Sequence, residues 1–294
     1  MKAVRAPFPT ERAERGRGAF LWACALDVQV RKPGNVSLAS PGHGMDGGLF
    51  LASAAAAAGP ISSAGAAVGE RIEAAVRAAL EVARCNTNLG IVLLCAPLLA
   101  AFERFDAAGG AVALRCALAT VLRSLDIADA RAAYRAIASA RPAGLGHVRD
   151  QDVLAVPTVG LRDAMALAAD RDRIAWQYQH GYPDVFELGL PAFLAARSAG
   201  ADARRAMQAA FLEFAAALPD SHIVRKHGDA MAQCVIREAA PWRAQARRGA
   251  DLDADPAFAA WDEDLKARGL NPGTSADLSV AVAMTAALLT LPLP

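Results

Sequence analysis

The 294-residue sequence is poor in aromatic side chains: Trp, Tyr and Phe make up 6%. Strand-rich proteins lean on aromatic and β-branched residues, so this scarcity, beside abundant Ala, Leu and Arg, argues against a β architecture and for helices. A charge excess is missing too. Lys plus Arg number 31 against 30 for Asp plus Glu, so no overall field points to a nucleic acid or a membrane surface. The five cysteines, Cys24, Cys85, Cys95, Cys116 and Cys234, include no C-x-x-C pair. That excludes the usual zinc and disulfide frameworks and fits a reducing, cytoplasmic setting. No secretory hydrophobic core occurs in the Arg-rich first 18 residues. The apolar runs Ile91 to Ala101 and Val280 to Leu293 fall short of the roughly 20 residues that span a bilayer.

What is present is a series of helical patterns separated by glycine and proline. Over Ser62 to Arg84, Ile72, Val76 and Leu80 share one face, and Glu73, Arg77 and Glu81 form a charge ladder on another. Further helices are expected over Ala19 to Val30, Leu49 to Ala58, the stretch after Asn88 to about Phe105, Gly110 to Leu125 and a segment capped by Asp126. The rest follow over Leu161 to Tyr178, Val185 to Ala199, Ala201 to Leu218, His227 to Arg237, Asp255 to Arg268 and Ser275 to Leu291. Pro97 interrupts the apolar run from Ile91 to Ala101, inside the buried helix expected to reach about Phe105. No stretch alternates with period two, and there is neither a repeat nor a flexible linker. The expected fold is therefore all-α, a polar segment over 1–18 followed by one domain over 19–294 with about a dozen helices.

Polar residues collect in the breaks. The organising stretch is Arg84-Cys85-Asn86-Thr87-Asn88-Leu89-Gly90, set directly before the apolar run from Ile91 to Leu99. Asn and Thr favour caps, Gly90 permits close approach, and the amides of a helix start suit an anion such as phosphate. An ordinary capped core helix reads the same way. The other breaks hold Lys32-Pro33-Gly34-Asn35 with His43 and Asp46, then Asp220-Ser221-His222 with Arg225 and Lys226, then Asn271-Pro272-Gly273-Thr274-Ser275-Ala276-Asp277-Leu278. Asp170 to Arg173 reads as surface charge pairs.

These ordered motifs resemble the triphosphoribosyl-dephospho-CoA synthases, from about residue 19 to 290. That family's signatures are K-P-G-L-V-D, G-x-H-x-D-M, N-T-H-K-G, D-[ST]-N-x-x-x-[RK]-x-G and S-P-G-G-S-A-D-L. The chain departs from them at Asn35-Val36-Ser37, at Met45, which precedes the aspartate, and above all at Asn88 and Leu89, where the family has histidine and lysine. The K-P-G-N-V-S and N-T-N pattern is similar to the branch found in archaea and in bacteria with tetrahydromethanopterin-linked metabolism.

The resemblance implies transfer of a 5-triphosphoribosyl group from ATP, with Mg²⁺, to a hydroxyl of dephospho-CoA, releasing adenine. Loss of a neutral base from ribose C1 passes through an oxocarbenium-like state, by analogy with glycoside cleavage. Such a site needs carboxylates, a proton donor and cations on the phosphates. The expected catalytic residues are His43, Asp46 and Asp277. Metal ligands are expected in Asp46, Asp220 and Asp277. Substrate and phosphate contacts are expected from Lys32, Asn35, Asn86, Thr87, Asn88, Gly90, Arg225, Lys226 and Ser275. The alternatives are phosphoribosyl transfer to a pterin-type acceptor in tetrahydromethanopterin synthesis, hydrolysis of an N-ribosyl bond, and a non-catalytic nucleotide- or CoA-binding protein. The expected partners are a small-molecule nucleotide and a CoA-like or pterin-type acceptor, without nucleic acid or membrane, and a homodimer is one arrangement the sequence leaves open.

Overall fold

The computed structural model describes residues 9–42, 44–142 and 150–290. Among them are fourteen α-helices and no strand: α1 (Pro9–Gln29), α2 (Gly47–Ile61), α3 (Val68–Ala83), α4 (Leu89–Phe102), α5 (Gly110–Ser124), α6 (Ile127–Ala140), α7 (Leu161–Ala166), α8 (Arg173–His180), α9 (Leu190–Ser198), α10 (Ala203–Ala215), α11 (Ser221–His227), α12 (Asp229–Arg247), α13 (Pro256–Ala267) and α14 (Gly273–Thr290). The all-α expectation holds.

Two helices form the centre. Every residue of α4 except Gly90 is buried, and α14 is buried from Thr274 to Leu288 apart from Asp277. An α-helix apolar on all sides has to be enclosed, and α1, α3, α5, α8 and α10 supply contacts around this pair. α14 is long and apolar enough to resemble a membrane span, yet its side chains are spent on the core.

Pro97 does not break α4. Proline lacks the N–H that would donate to the carbonyl four residues back, leaving that oxygen unpaired. Here the carbonyl of Leu93 accepts instead from the Tyr178 hydroxyl at 2.6 Å, and Leu94 O accepts from Tyr182 at 3.2 Å. Two scarce tyrosines thus repair the helix that proline would have ended.

Other boundaries differ for local reasons. α1 starts at Pro9, so residues 10–18 of the expected polar segment are helical. Arg12 donates to the carbonyls of Phe102, Glu103 and Phe105, and Arg15 to Leu288 O, which docks this segment on the ends of α4 and α14. The helix expected over Leu161 to Tyr178 is split into α7 and α8, because Asp172 caps a new start by accepting from Ile174 N and Ala175 N. The break at Asp220 to Gly228 contains α11, capped by Asp220. A π-helical turn, Asp184–Gly189, precedes α9.

α3 and α6 lie parallel. At their starts Gly69 N donates to Asp129 Oδ1 at 2.7 Å, and further along Arg135 grips Glu73 with two bonds of 2.6 Å. Both helices consequently end at the same side of the protein, at the mouth of a cleft.

Candidate active site

The cleft has a volume of about 1140 Å³ and opens between the helix ends. Its walls come from the starts of α4, α8 and α14, from α11, and from the C-terminal ends of α3 and α6. The motif residues Asn35, Asn86, Thr87, Gly90, Arg225, Lys226 and Asp277 line it, although they span most of the sequence.

The first and last motifs are joined directly, Asn35 Nδ2 donating to Asn271 Oδ1 at 2.8 Å. Asn86 caps α4 through its side-chain oxygen, which accepts from Leu89 N at 3.2 Å. Gly90 follows in the first turn, and Ala or any larger residue there would collide with the carboxylate of Asp277. The oxygen Thr87 Oγ1 and the nitrogen Asn88 Nδ2 are buried without a hydrogen-bond partner among the described residues. Buried polar atoms of this kind are rare in finished structures and mark a place where a ligand group or water is wanted.

Asp277 is the chemically unusual group. Burial pushes its carboxyl well above the ordinary carboxylate range, and the like charges of Asp27 and Asp220 push the same way against Arg225. Asp27, at the end of α1, also lines the cleft and is likewise raised by burial, with Lys32 opposing the rise. Arg225 is held by Asp172, Nη1 to Oδ2 2.7 Å, and both face the cleft. His222 lines the same wall. Its Nδ1 lies 3.1 Å from Asn271 O, and since a carbonyl only accepts, that nitrogen carries the proton.

Several expected site residues play other parts. Lys32 is fully buried and does not line the cleft; its ammonium meets Asp27 Oδ1 at 3.1 Å and donates to Asp27 O at 2.6 Å. It supports Asp27 from beneath. The K-P-G turn it begins is pinned by Gly34 N donating to Asp262 Oδ1, at a φ of 82° that suits glycine. Asp220 is saturated structurally, accepting from His222 N, Ile223 N, Ser275 N and Ser275 Oγ. Neither it nor Ser275, the residues expected to hold metal and substrate, lines the cleft; together they tie α11 to α14. Asp46 is exposed and caps α2 through Leu49 N, while its neighbour Met45 is the one that lines the cleft. Asn88 is buried behind the wall. His43 lies outside the described residues, as do 143–149 of the loop before α7.

Conversely, Asp27, Arg84, Arg141, Asp172 and His222 line the cleft without having been assigned to it from the sequence. Asp172 had read as a surface charge; its capping position before Ile174 was the available signal. His222 stands where the resembling family has asparagine, a departure visible in the motif itself.

Among the described residues no three His, Cys, Asp or Glu side chains cluster as a ready-made metal cage. Of the three aspartates expected to bind metal, Asp277 alone lines the cleft.

Comparison with known proteins bears on this arrangement. The family model for CitG, ATP:dephospho-CoA triphosphoribosyl transferase, matches residues 13–292. Among solved structures, a protein from Archaeoglobus fulgidus described as a putative triphosphoribosyl-dephospho-CoA synthase superposes with a TM-score of 0.61 at 22% identity, covering 82% of this chain and 99% of that one. At that identity the likeness concerns the fold. A search of curated proteins finds no match. With the family model spanning nearly the whole chain and its motifs facing one cleft, the protein belongs to the CitG family of transferases.

Proposed function

We propose that the cleft transfers a phosphorylated ribosyl group from a nucleotide donor, ATP in the family's reaction, to a hydroxyl of a CoA-like acceptor with release of the base. The observation that carries this reading is the meeting of Asp277, a buried carboxyl against Gly90, with Arg225, Lys226 and His222 in one cavity large enough for two substrates. Pockets for a single small molecule run from about 300 to 1,000 Å³.

The chemistry divides among these groups. The basic residues bind and orient the phosphates. Asp172, fixed by Arg225, and Asp27, fixed by Lys32, place negative charge beside a ribose that becomes cationic as its base departs. His222, protonated at Nδ1, takes the acceptor's hydroxyl proton on its other nitrogen as the new C1–oxygen bond forms. Mg²⁺ commonly binds through one or two carboxylates together with substrate phosphates and keeps the rest of its waters. Asp277 fits that manner of binding, because a raised carboxyl among like charges is the group that a divalent cation relieves. When bound, the ion would neutralise phosphate charge. The fit favours arrival of the metal with the donor.

The test is incubation with ATP, Mg²⁺ and dephospho-CoA followed by assay of free adenine. Adenine that appears only with acceptor supports transfer; adenine without acceptor indicates hydrolysis; none with any donor indicates a binding protein. One observation favours a second reading: Leu89 lines the cleft at the place where the resembling family carries lysine. A different phosphoribosyl donor, or a pterin-type acceptor, suits a wall that has lost that charge, and the same assay with phosphoribosyl pyrophosphate separates the two.

A further inference from the structure

The parallel helices α3 and α6 each end on an arginine in the left-handed conformation, Arg84 at φ 58° and Arg141 at φ 45°. That backbone position is the usual place of glycine or asparagine, which adopt it without the strain a long side chain incurs. Both caps close through the backbone alone, Arg84 N donating to Leu80 O and Arg141 N to Ile137 O. A basic residue at a helix C-terminus can serve merely to offset the partial negative charge there. In that case its guanidinium would be expected to bond to the last carbonyls. Neither guanidinium has a hydrogen bond or ion pair with another described residue, and both residues are exposed and line the cleft. The neighbouring basic groups Arg225 and Arg171 are, by contrast, already engaged with Asp172 and Asp170.

The pairing of α3 with α6 brings both caps to the same end of the helix pair, where both residues line the cleft. Two long arginines entering one cleft from neighbouring helix ends can close on a chain of linked phosphates, each with a planar fork of donors. The cleft wall beside them, Asn86 to Leu89, has no cation of its own.

We propose that Arg84 and Arg141 form a two-sided clamp for the polyphosphate chain of the donor, replacing the charge absent at Leu89. The clamp rests on the transfer reading for its donor, but its ligand chemistry, a linear polyphosphate, can be tested apart from catalysis. Inorganic tripolyphosphate is titrated calorimetrically into the wild-type protein, Arg84→Gly, Arg141→Gly and the double variant, with thermal melts alongside. Glycine suits the left-handed position, so the variants should melt no lower than wild type. Each single variant should weaken tripolyphosphate by about tenfold or more, the scale of one charge-assisted contact, and orthophosphate should bind far more weakly than the chain. Wild-type protein that fails to bind tripolyphosphate, or variants that bind it unchanged, would overturn the clamp. If tripolyphosphate binding follows the arginines but no adenine is ever released, the clamp stands and the transfer reading fails. If adenine is released while the variants keep full affinity, the clamp alone fails.

Discussion

Gly90 and Asp277 are in contact across the two central helices: a Cβ at position 90 would overlap the Asp277 carboxylate and also crowd Ile174 Cδ1 at 2.8 Å. The glycine is therefore the surface on which the carboxyl rests. Gly90→Ala should displace Asp277 and lower adenine release about 100-fold, the scale associated with misplacing a reacting group by an ångström. It should also cost about 1–3 kcal/mol by overpacking. Gly59, inside α2 with open space around its Cβ position, is the matched control. Gly59→Ala should leave activity intact and gain about 0.5–1 kcal/mol of helix stability. Equal activity in Gly90→Ala and wild type would mean that Asp277 has no part in the reaction.

Asp277 itself should make the protein less stable as pH rises. Its carboxyl is raised in the folded state by burial and then by Asp27 and Asp220. A raised acid holds its proton in the fold after the unfolded chain has lost it, so its favourable contribution is complete below the ordinary carboxylate range. That contribution is then lost progressively until the folded group ionises. Asp277→Asn cannot ionise. The melting-temperature difference, variant minus wild type, should grow as pH is raised from 4 to 8, while activity is abolished. Parallel melting curves across that range would show that the carboxyl is not perturbed.

How much of this was visible in the sequence depends on what each signal reports. Helical periodicity and the shortage of aromatics report local preference, and the all-α fold follows from them. The helix continues through Pro97, as its apolar pattern indicates, but the reason lies elsewhere in the chain: Tyr178, about eighty residues along, offsets the cost. The site residues divide similarly. Asn86, Gly90 and Asp277 sit at helix starts, and cap chemistry is legible in a sequence. Lys32 and Asp220 carry the same polar letters but are consumed by partners, Asp27 and Ser275, which only the tertiary fold brings near. Arg84 opens the organising stretch without being marked as a ligand, and Arg141 is an ordinary charged residue at a helix end until α3 and α6 are seen to end together.

The Lys32–Asp27 pair should behave as a support for the fold. Both side chains are almost fully buried, and removing one partner of a buried pair costs about 3–5 kcal/mol by stranding the other. Lys32→Met is accordingly expected to lower stability by that amount in a denaturant melt. The double variant Lys32→Met with Asp27→Leu should recover a large part of the loss, because no unpaired charge remains. A Lys32→Met protein with wild-type stability but weakened tripolyphosphate binding would return Lys32 to the role of phosphate ligand.

Asp220 provides the complementary case, an aspartate in a motif position whose acceptor capacity is already taken by α11 and α14. One oxygen accepts from His222 N and Ile223 N, the other from Ser275 N and Oγ. Asp220→Ala removes a cap and the tie between two helices, so a loss of about 2 kcal/mol or more is expected. Ser275→Ala removes one of those bonds and should cost about 1 kcal/mol. Because the two residues share a contact, the double variant should cost less than the sum of the singles. The Mg²⁺ concentration that gives half-maximal rate should be the same in Ser275→Ala and in wild type, and also in whatever fraction of Asp220→Ala remains folded. An Asp220→Ala protein that melts like wild type but needs markedly more Mg²⁺ would make Asp220 a metal ligand, and the tie between α11 and α14 incidental.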